Sequence, residues 1–167
     1  MRPIVIDVEA SGFGKGSYPI EVGIVLANGD SHCTIISREV DWQHWDMDAE
    51  SLHGISRETL DLHGVDVVTV AKMLNQWLEG QVAYSDAWGN DSSWIALLFD
   101  CAEIPQRFRL ESLRQLMSDE QLVSWHSVKE SLIDECGGGR HRASRDAFIL
   151  QETFFRTAAL VAHQQAG

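Results

Sequence analysis

The sequence predicts an α/β domain in which helices are layered around a mixed β-sheet. Three short segments rich in β-branched residues, separated by turn signals, open the chain and predict an antiparallel meander. Beyond residue 66, predicted strands alternate with predicted helices, which is the order typical of α/β layers. A length of 167 residues favours one domain with a sizeable core, so we expect a single domain over residues 1–167.

The individual elements follow from apolar periodicity and from turn residues. Strands are predicted over residues 4–8, 19–27, 31–37, 81–84 and 107–110, with a hairpin turn at residues 28–30. Helices are predicted over residues 48–52, 56–62, 67–78, 111–117, 127–134 and 143–163, and one more begins at Asp91 or Ser92 and ends at residue 101. The first two interrupt a long loop, residues 38–66, and such loops are often functional.

The composition is that of a globular protein with a strongly acidic balance. The formal net charge of −12 weighs against tight binding of long duplex nucleic acid, because polyanion binding normally needs a basic patch. Bound divalent cations reverse the local sign at an acidic site, so a short nucleic acid remains a compatible substrate. No apolar stretch approaches the roughly 20 residues of a membrane span, and no basic leader precedes an apolar core. We therefore expect a cytoplasmic protein without a membrane partner.

Four acidic residues and one histidine are the candidate catalytic groups. Asp7 and Glu9 are two residues apart on a predicted strand and therefore point to the same face of it. Asp91 lies at the start of a predicted helix, Asp146 lies in the first turn of the last helix, and His141 precedes that helix. Open α/β sheets bind ligands at the carboxyl ends of their strands, so we expect the four carboxylates to converge there.

Such a carboxylate set predicts metal-assisted phosphodiester chemistry. Oxygen ligands favour Mg²⁺ or Mn²⁺, and the four carboxylates could hold two such ions. A neutral His141 could then take the proton from the attacking water. Each piece alone is weak, since an aspartate at a helix start such as Asp91 is most often an N-cap. The joint occurrence in this order carries the prediction.

Five segments together resemble a known family, the DEDDh branch of the 3′–5′ exonucleases. Residues 7–12 (DVEASG) match its first motif, DxEx(T/S)G, and residues 141–147 (HRASRDA) match its third, HxAxxDA. Residues 90–95 (NDSSWI) resemble its second motif, FDxxFL, with Asn90 in place of the aromatic residue. Residues 51–56 (SLHGIS) resemble an IHGI(T/S) segment, and residues 20–23 (IEVG) resemble a second-strand motif. The resemblance covers nearly the whole chain.

The resemblance implies a ribonuclease H-like fold, with a five-stranded mixed sheet flanked by helices. It implies release of nucleoside 5′-monophosphates from the free 3′ end of single-stranded or short nucleic acid, with two metal ions and His141 as general base. It places Ala10, Ser11 and Gly12 against the terminal nucleotide, partly through backbone amides. It also places His53 beside the substrate cleft, although a loop-packing role would explain His53 equally well. A homodimer is compatible with the family, but no apolar stripe in the sequence indicates one.

Several alternatives stay open at this level. Asp86 follows the predicted strand more directly than Asp91, but the apolar Trp94 and Ile95 follow Asp91 at the spacing of the family motif. The acidic charge and the altered second motif also suit a catalytically weak nucleic-acid- or protein-binding module on the same fold. A phosphodiesterase acting on a small nucleotide is a third interpretation. The choice between RNA and DNA rests on contacts to the 2′-hydroxyl, which the sequence does not locate.

Overall fold

A five-stranded mixed sheet organises the fold. The computed structural model describes residues 2–139 and 141–165. The strands are β1 (Ile4–Ala10), β2 (Pro19–Val25), β3 (Ser31–Ile35), β4 (Val82–Ser85) and β5 (Arg109–Ser112). Their order across the sheet is β3-β2-β1-β4-β5. The β3-β2-β1 half is antiparallel, whereas β4 and β5 run parallel to β1, so the predicted mixed sheet and opening meander are confirmed.

Helices cover both faces of this sheet. They are α1 (Met47–His53), α2 (Arg57–His63), α3 (Val67–Leu78), α4 (Trp88–Cys101), α5 (Asp119–Glu135) and α6 (Ala143–Gln165), with a 3₁₀ turn at Leu113–Leu116. Among the residues that the structure describes, none of the helices combines the length and apolar composition that a bilayer crossing needs.

The two faces of β1 have different environments because successive side chains of a strand point to opposite sides. Ile6 and Val8 belong to the main core, which contains residues of α3 and α4. Val5, on the opposite face, packs with Ala147 and Leu150 of α6. Asp7 and Glu9 have the parity of Val5, so both carboxylates lie on the α6 face of the sheet.

Several predicted boundaries differ from the structure. β1 extends two residues further than predicted, to Ala10, and β5 begins two residues later than predicted. The predicted helix over 111–117 is instead the end of β5 followed by the 3₁₀ turn. The helix predicted over 127–134 is the second half of α5, which begins at Asp119 because Ser118 and Gln121 form a capping box.

The predicted start of the helix at Asp91 or Ser92 is wrong. α4 begins three residues earlier, at Trp88, with Ala87 in the N-cap position and no side-chain cap. The Asp91 amide donates to the Ala87 carbonyl at 3.1 Å, so Asp91 lies inside the first turn. Its carboxylate accepts a hydrogen bond from the Ser85 hydroxyl rather than from a backbone amide of the helix. The N-cap interpretation of Asp91 is therefore excluded.

The N-terminus of α6 packs directly against the backbone of β2 at Gly23. A Cβ atom added at Gly23 would overlap backbone atoms of Ala143 and Ser144. Gly23 is also the β2 partner of Asp7 in the sheet register. The absence of a side chain there lets the first turn of α6 approach the strand that carries the acidic pair.

Gly23→Ala is expected to destabilise the protein by roughly 1–3 kcal/mol or more, because the added methyl group meets backbone rather than a movable side chain. Unfolding in urea, followed by circular dichroism, measures this change. Gly89→Ala is the matched control: its Cβ would lie in open space within α4, so this substitution should be neutral or stabilise by about 0.4–1 kcal/mol. Equal stabilities for the two variants would contradict the assigned contact.

Candidate active site

Two adjoining clefts open at the end of β1. The main cleft is lined by Asp7, Val8, Glu9, Ala10, Gly12, Phe13, Ala49, Leu52, His53, Ala87, Asn90, Asp91, Trp94, His141 and Asp146. The side cleft is lined by Asp7, Asp86, Lys129, Ile133, His141, Asp146, Ile149 and Leu150. Both clefts share Asp7, His141 and Asp146. The structure thus brings all five predicted catalytic residues together.

An ion pair between the buried Glu21 and the half-exposed Arg142 fixes the chain where it enters α6. The Arg142 Nε atom lies 3.0 Å from each carboxylate oxygen of Glu21, and the Ala143 amide donates to Glu21 Oε2 at 2.9 Å. Glu21 is fully buried and stands opposite Glu9 in the β1–β2 register. Because Arg142 directly follows His141, this pair holds the histidine at the rim of the two clefts.

His141, Asp146 and Glu9 form a compact group of potential ligands. His141 Nδ1 lies 2.8 Å from Asp146 Oδ2. One ligand atom from each of the three side chains lies within 4.8 Å of the other two, which is close enough to surround one cation. His141 itself is exposed, whereas Glu9 and Asp146 are partly buried.

The structure separates Asp91 from Asp86. Asp91 is almost completely buried in the main cleft, where its carboxylate accepts a hydrogen bond from Ser85, the last residue of β4. Asp86 does not line the main cleft, and its carboxylate pairs instead with Lys129 Nζ at 2.9 Å. Asp91 is therefore the carboxylate that lines the same cleft as Asp7 and Glu9. Asp86 lies outside this cleft and is paired with the ammonium group of Lys129.

Burial and mutual repulsion perturb the acids of the main cleft. Burial, followed by the charges of Asp91 and Glu9, raises the pKa of Asp7 well above its usual value. Burial and the nearby Asp146 raise the pKa of Glu9 to about 7, against a smaller opposing effect of His141. Burial raises the pKa of Asp91 to about 7, although the hydrogen bond from Ser85 opposes this. A divalent cation would relieve this repulsion, and hard oxygen donors suit Mg²⁺ or Mn²⁺.

The turn after β1 does not present all of its amides to the cleft. Ala10 and Gly12 line the main cleft, but Ser11 is fully buried. The Ser11 amide donates to the Tyr18 carbonyl at 2.9 Å, and its hydroxyl accepts from the Tyr18 amide at 3.1 Å. The Ser11 amide is therefore engaged within the protein, whereas Ala10 and Gly12 remain at the cleft surface.

His53 lines the main cleft with a side chain that is almost completely buried. Its side chain is 3% exposed, and Nδ1 accepts a hydrogen bond from the Ile55 amide at 3.0 Å. Burial lowers the pKa of His53, against smaller opposing effects of Glu50, Glu21 and the Ala10 backbone. A neutral ring with Nδ1 accepting carries its proton on Nε2, and that atom is buried without a hydrogen-bond partner in the described chain. His53 thus braces its loop at the wall of the main cleft, with its Nε2 atom buried beneath the cleft surface.

Sequence reasoning missed several residues that shape the site. Phe13 directly follows the first motif, lines the main cleft and is 68% exposed, and its ring lies 6.0 Å from that of Trp94. Leu52, also exposed, lines the same cleft. Both residues lie in or next to the sequence motifs, and this proximity was the one signal that could have identified them as cleft residues. No local signal pairs Lys129 with Asp86, because 43 positions separate them.

The chain has the ribonuclease H-like fold of the 3′–5′ exonucleases, which confirms the predicted resemblance at the level of the fold. It is similar to E. coli exonuclease I in complex with a dA16 oligonucleotide, with a TM-score of 0.66 and 10% identity over 89% of this chain and 39% of that one. It is similar to the zinc-bound E. coli exonuclease I–single-stranded DNA complex, with a TM-score of 0.63 and 12% identity over 99% of this chain and 42% of that one. It is also similar to a 3′-exonuclease in its 3′-end-specific recognition of a histone mRNA stem-loop, with a TM-score of 0.62 and 16% identity over 92% of this chain and 62% of that one. The chain spans about two fifths of the length of the exonuclease I chains. No protein-family model and no curated protein matches its sequence.

The raised pKa values predict how the stability of the metal-free protein depends on pH. The unfolded chain releases these protons near pH 4, whereas folded Glu9 and Asp91 keep theirs to about pH 7 and Asp7 keeps its proton well above its usual pKa. The folded state binds more protons in this window, so the free energy of unfolding falls as the pH rises from about 4 to about 7. Asp7→Asn should flatten this slope and raise the melting temperature in EDTA at pH 8.

Thermal melts in EDTA across this pH range measure both effects, and about 1 kcal/mol corresponds to about 2–4 °C at this chain length. Asp86→Asn is the matched control, because Asp86 lies at the margin of the cluster and is paired with Lys129, so its removal should relieve less repulsion than the removal of the Asp7 charge. A stabilising effect of Asp86→Asn that equals that of Asp7→Asn would show that general acidity, not the cluster, sets the slope.

Proposed function

We propose that the protein is a metal-dependent 3′–5′ exonuclease that hydrolyses phosphodiester bonds of single-stranded or short nucleic acid and releases nucleoside 5′-monophosphates. The observation that carries this proposal is the convergence of Asp7, Glu9, Asp91 and Asp146 with His141 at one end of β1. Three of these carboxylates have a raised pKa, which is the electrostatic signature of acids held together for a cation.

In this proposal Asp7, Glu9, Asp91 and Asp146 hold two Mg²⁺ or Mn²⁺ ions. When bound, such ions lower the pKa of a coordinated water and neutralise charge on the leaving oxygen. The buried hydrogen bond from Ser85 keeps the Asp91 carboxylate in the main cleft, and the Glu21–Arg142 pair keeps Asp146 opposite it through the start of α6. The donor set consists of hard carboxylate oxygens, which is the chemistry that these cations prefer.

His141 acts as the general base. Asp146 Oδ2 accepts from Nδ1–H, so the ring keeps Nε2 as its basic nitrogen. The exposure of His141 at the rim shared by the two clefts leaves this nitrogen accessible to a water molecule at the carboxylates. The role of His141 is thus to remove a proton from the attacking water as the new phosphorus–oxygen bond forms.

The main cleft takes the 3′-terminal nucleotide. Ala10 and Gly12 line its edge, His53 forms part of its wall, and the exposed Phe13 and Leu52 offer apolar surface to a base. Ser11 supports this arrangement from beneath, by holding the turn to Tyr18. The solved exonucleases with this fold include complexes of single-stranded DNA and of a histone mRNA stem-loop, which favours a nucleic-acid 3′ end as the substrate.

A ladder assay tests this proposal. The purified protein should shorten a 5′-labelled single-stranded oligonucleotide one nucleotide at a time with Mg²⁺ or Mn²⁺, and EDTA should stop the reaction. RNA and DNA oligonucleotides of the same sequence, assayed side by side, show whether ribose or deoxyribose is preferred. Binding without any shortening would instead indicate the non-catalytic binding module, and shortening of dinucleotides alone would indicate a small-nucleotide phosphodiesterase.

A pair of aspartate variants separates the proposed site from its neighbour. Asp91→Asn should lower kcat/KM at least about 100-fold, because a metal-stabilised transition state is worth several kcal/mol. Asp86→Asn, the same change five positions earlier, should keep activity within about tenfold of the unaltered protein. The reverse ranking would assign the third carboxylate to Asp86. Equal and full activity of Asp91→Asn and the unaltered protein would exclude the proposed carboxylate set.

A further inference from the structure

The side cleft contains a cation that the proposed reaction does not use. Lys129 of α5 lines this cleft beside Asp7, His141 and Asp146. Its ammonium group lies 2.9 Å from a carboxylate oxygen of Asp86, and the Lys129 side chain keeps 31% of its surface exposed. Of the described residues that line the two clefts, Lys129 is the one with a permanently positive side chain.

The position of Lys129 opposes the general charge of the protein. The chain carries a formal charge of −12, and most of the polar residues of the side cleft are acidic. A lysine ammonium has three N–H donors, and Asp86 occupies one of them. Asp86 therefore holds Lys129 at the rim of the carboxylate cluster while leaving donors available to an anion.

The scissile phosphodiester joins the terminal nucleotide to the retained strand. When this bond lies at the carboxylates, the terminal nucleotide and the retained strand extend away from them in different directions. The main cleft has the apolar and aromatic residues that suit the terminal nucleoside. The side cleft adjoins the main cleft at the shared Asp7, His141 and Asp146, so a strand that runs from the main cleft into the side cleft passes its next phosphate close to Lys129. A phosphate there would face acidic side chains, and Lys129 is the group that offsets them.

We propose that Lys129 binds the first phosphate of the retained strand, one linkage to the 5′ side of the scissile bond. This inference rests on the proposed exonuclease function and assigns a direction to the substrate across the molecule. Lys129 then fixes the register of the strand, and Asp86 positions Lys129. The contact belongs to the polymer alone, because a nucleoside monophosphate occupies only the main cleft.

Single-site neutralisation of the substrate tests the contact. Oligonucleotides with one methylphosphonate, at the second or the third linkage from the 3′ end, are bound to the slowly cleaving Asp91→Asn protein with Mn²⁺ and followed by fluorescence anisotropy. Lys129→Gln should weaken binding of the unmodified strand roughly tenfold, as expected for the loss of one charge-assisted contact. A methylphosphonate at the second linkage should weaken strand binding by a similar factor in the protein that keeps Lys129. In the Lys129→Gln protein the same methylphosphonate should weaken binding less than about twofold. The third-linkage methylphosphonate should cost both proteins the same.

Control variants distinguish a contact from bulk charge or a structural role. Lys72→Gln removes the same charge from α3, at a cavity remote from the carboxylates, and should leave affinity within about twofold. Lys129→Gln combined with Asp86→Asn conserves net charge and should still lose affinity, whereas Lys129→Arg should retain most of it. The slope of log affinity against log salt should fall by about 0.7 for Lys129→Gln. Affinity for a nucleoside 5′-monophosphate should not change, and the melting temperature should fall by no more than about 2–4 °C, as expected for the loss of one partly exposed ion pair.

The outcomes distinguish the role of Lys129 from the exonuclease function on which it rests. A full methylphosphonate penalty in Lys129→Gln, equal losses in Lys129→Gln and Lys72→Gln, or parallel loss of mononucleotide binding would each overturn the role of Lys129 while leaving the exonuclease proposal intact. The proposed function, and this inference with it, would be overturned by two results together. These are no strand binding by the Asp91→Asn protein that keeps Lys129, and no shortening of the strand by the unaltered protein.

Discussion

The mutual repulsion of the carboxylates at the end of β1 is the constraint on which the rest of the site depends. Isolated buried charges are costly, and acids packed together respond by holding protons to higher pH. Asp7, Glu9 and Asp91 do so, with a pKa of about 7 for two of them. The fold therefore maintains an arrangement that is unfavourable without a cation, and its surrounding elements must hold the acids in place against their own charge.

Three separate devices hold them. The strand β1 lies in the centre of the sheet, where β4 pairs with its first two residues and β2 pairs with it along nearly its whole length, Asp7 and Glu9 included. Ser85 holds Asp91 at the end of β4. Glu21, Arg142 and Gly23 together dock the start of α6, which carries Asp146. Each device comes from a different segment of the chain, and the acids meet only when the whole sheet and α6 are assembled.

The same arrangement divides the surface around the acids into two unlike clefts. The main cleft offers the exposed side chains of Phe13 and Leu52, whereas the side cleft offers the ammonium group of Lys129. Stacking surface suits a base, and an ammonium group suits a phosphate. Under the proposed function, bound metal ions and Lys129 would offset the charge of the phosphates despite the net charge of −12.

Local periodicity was sufficient to predict part of this site. The period of two along β1 placed Asp7 and Glu9 on one face, and the apolar periodicity of α6 placed Asp146 in its first turn. The start of α4 was not predictable in this way, because Gly89 and Asn90 are poor helix formers and the Ala87 N-cap makes no side-chain hydrogen bond. Tertiary packing overrides those local preferences.

Contacts between distant segments lay outside the reach of sequence patterns. Glu21 and Arg142 are separated by 121 positions and Asp86 and Lys129 by 43, so their pairing follows from the fold alone. The choice between Asp91 and Asp86 belongs to the same class. Both aspartates follow β4 closely, and only the position of Lys129 and Ser85 shows which carboxylate is left for the main cleft.

Binding of a divalent cation to the carboxylate cluster should release protons. If the acids are held together for a divalent cation, Mn²⁺ must displace the protons that Glu9 and Asp91 retain up to about pH 7. Calorimetric titration with Mn²⁺ in buffers of different ionisation enthalpy counts these protons. The account predicts release of about one or more protons per protein at pH 6, falling steadily toward pH 8.5. Mn²⁺ binding with no proton release at pH 6, or no Mn²⁺ binding at any pH, would contradict it.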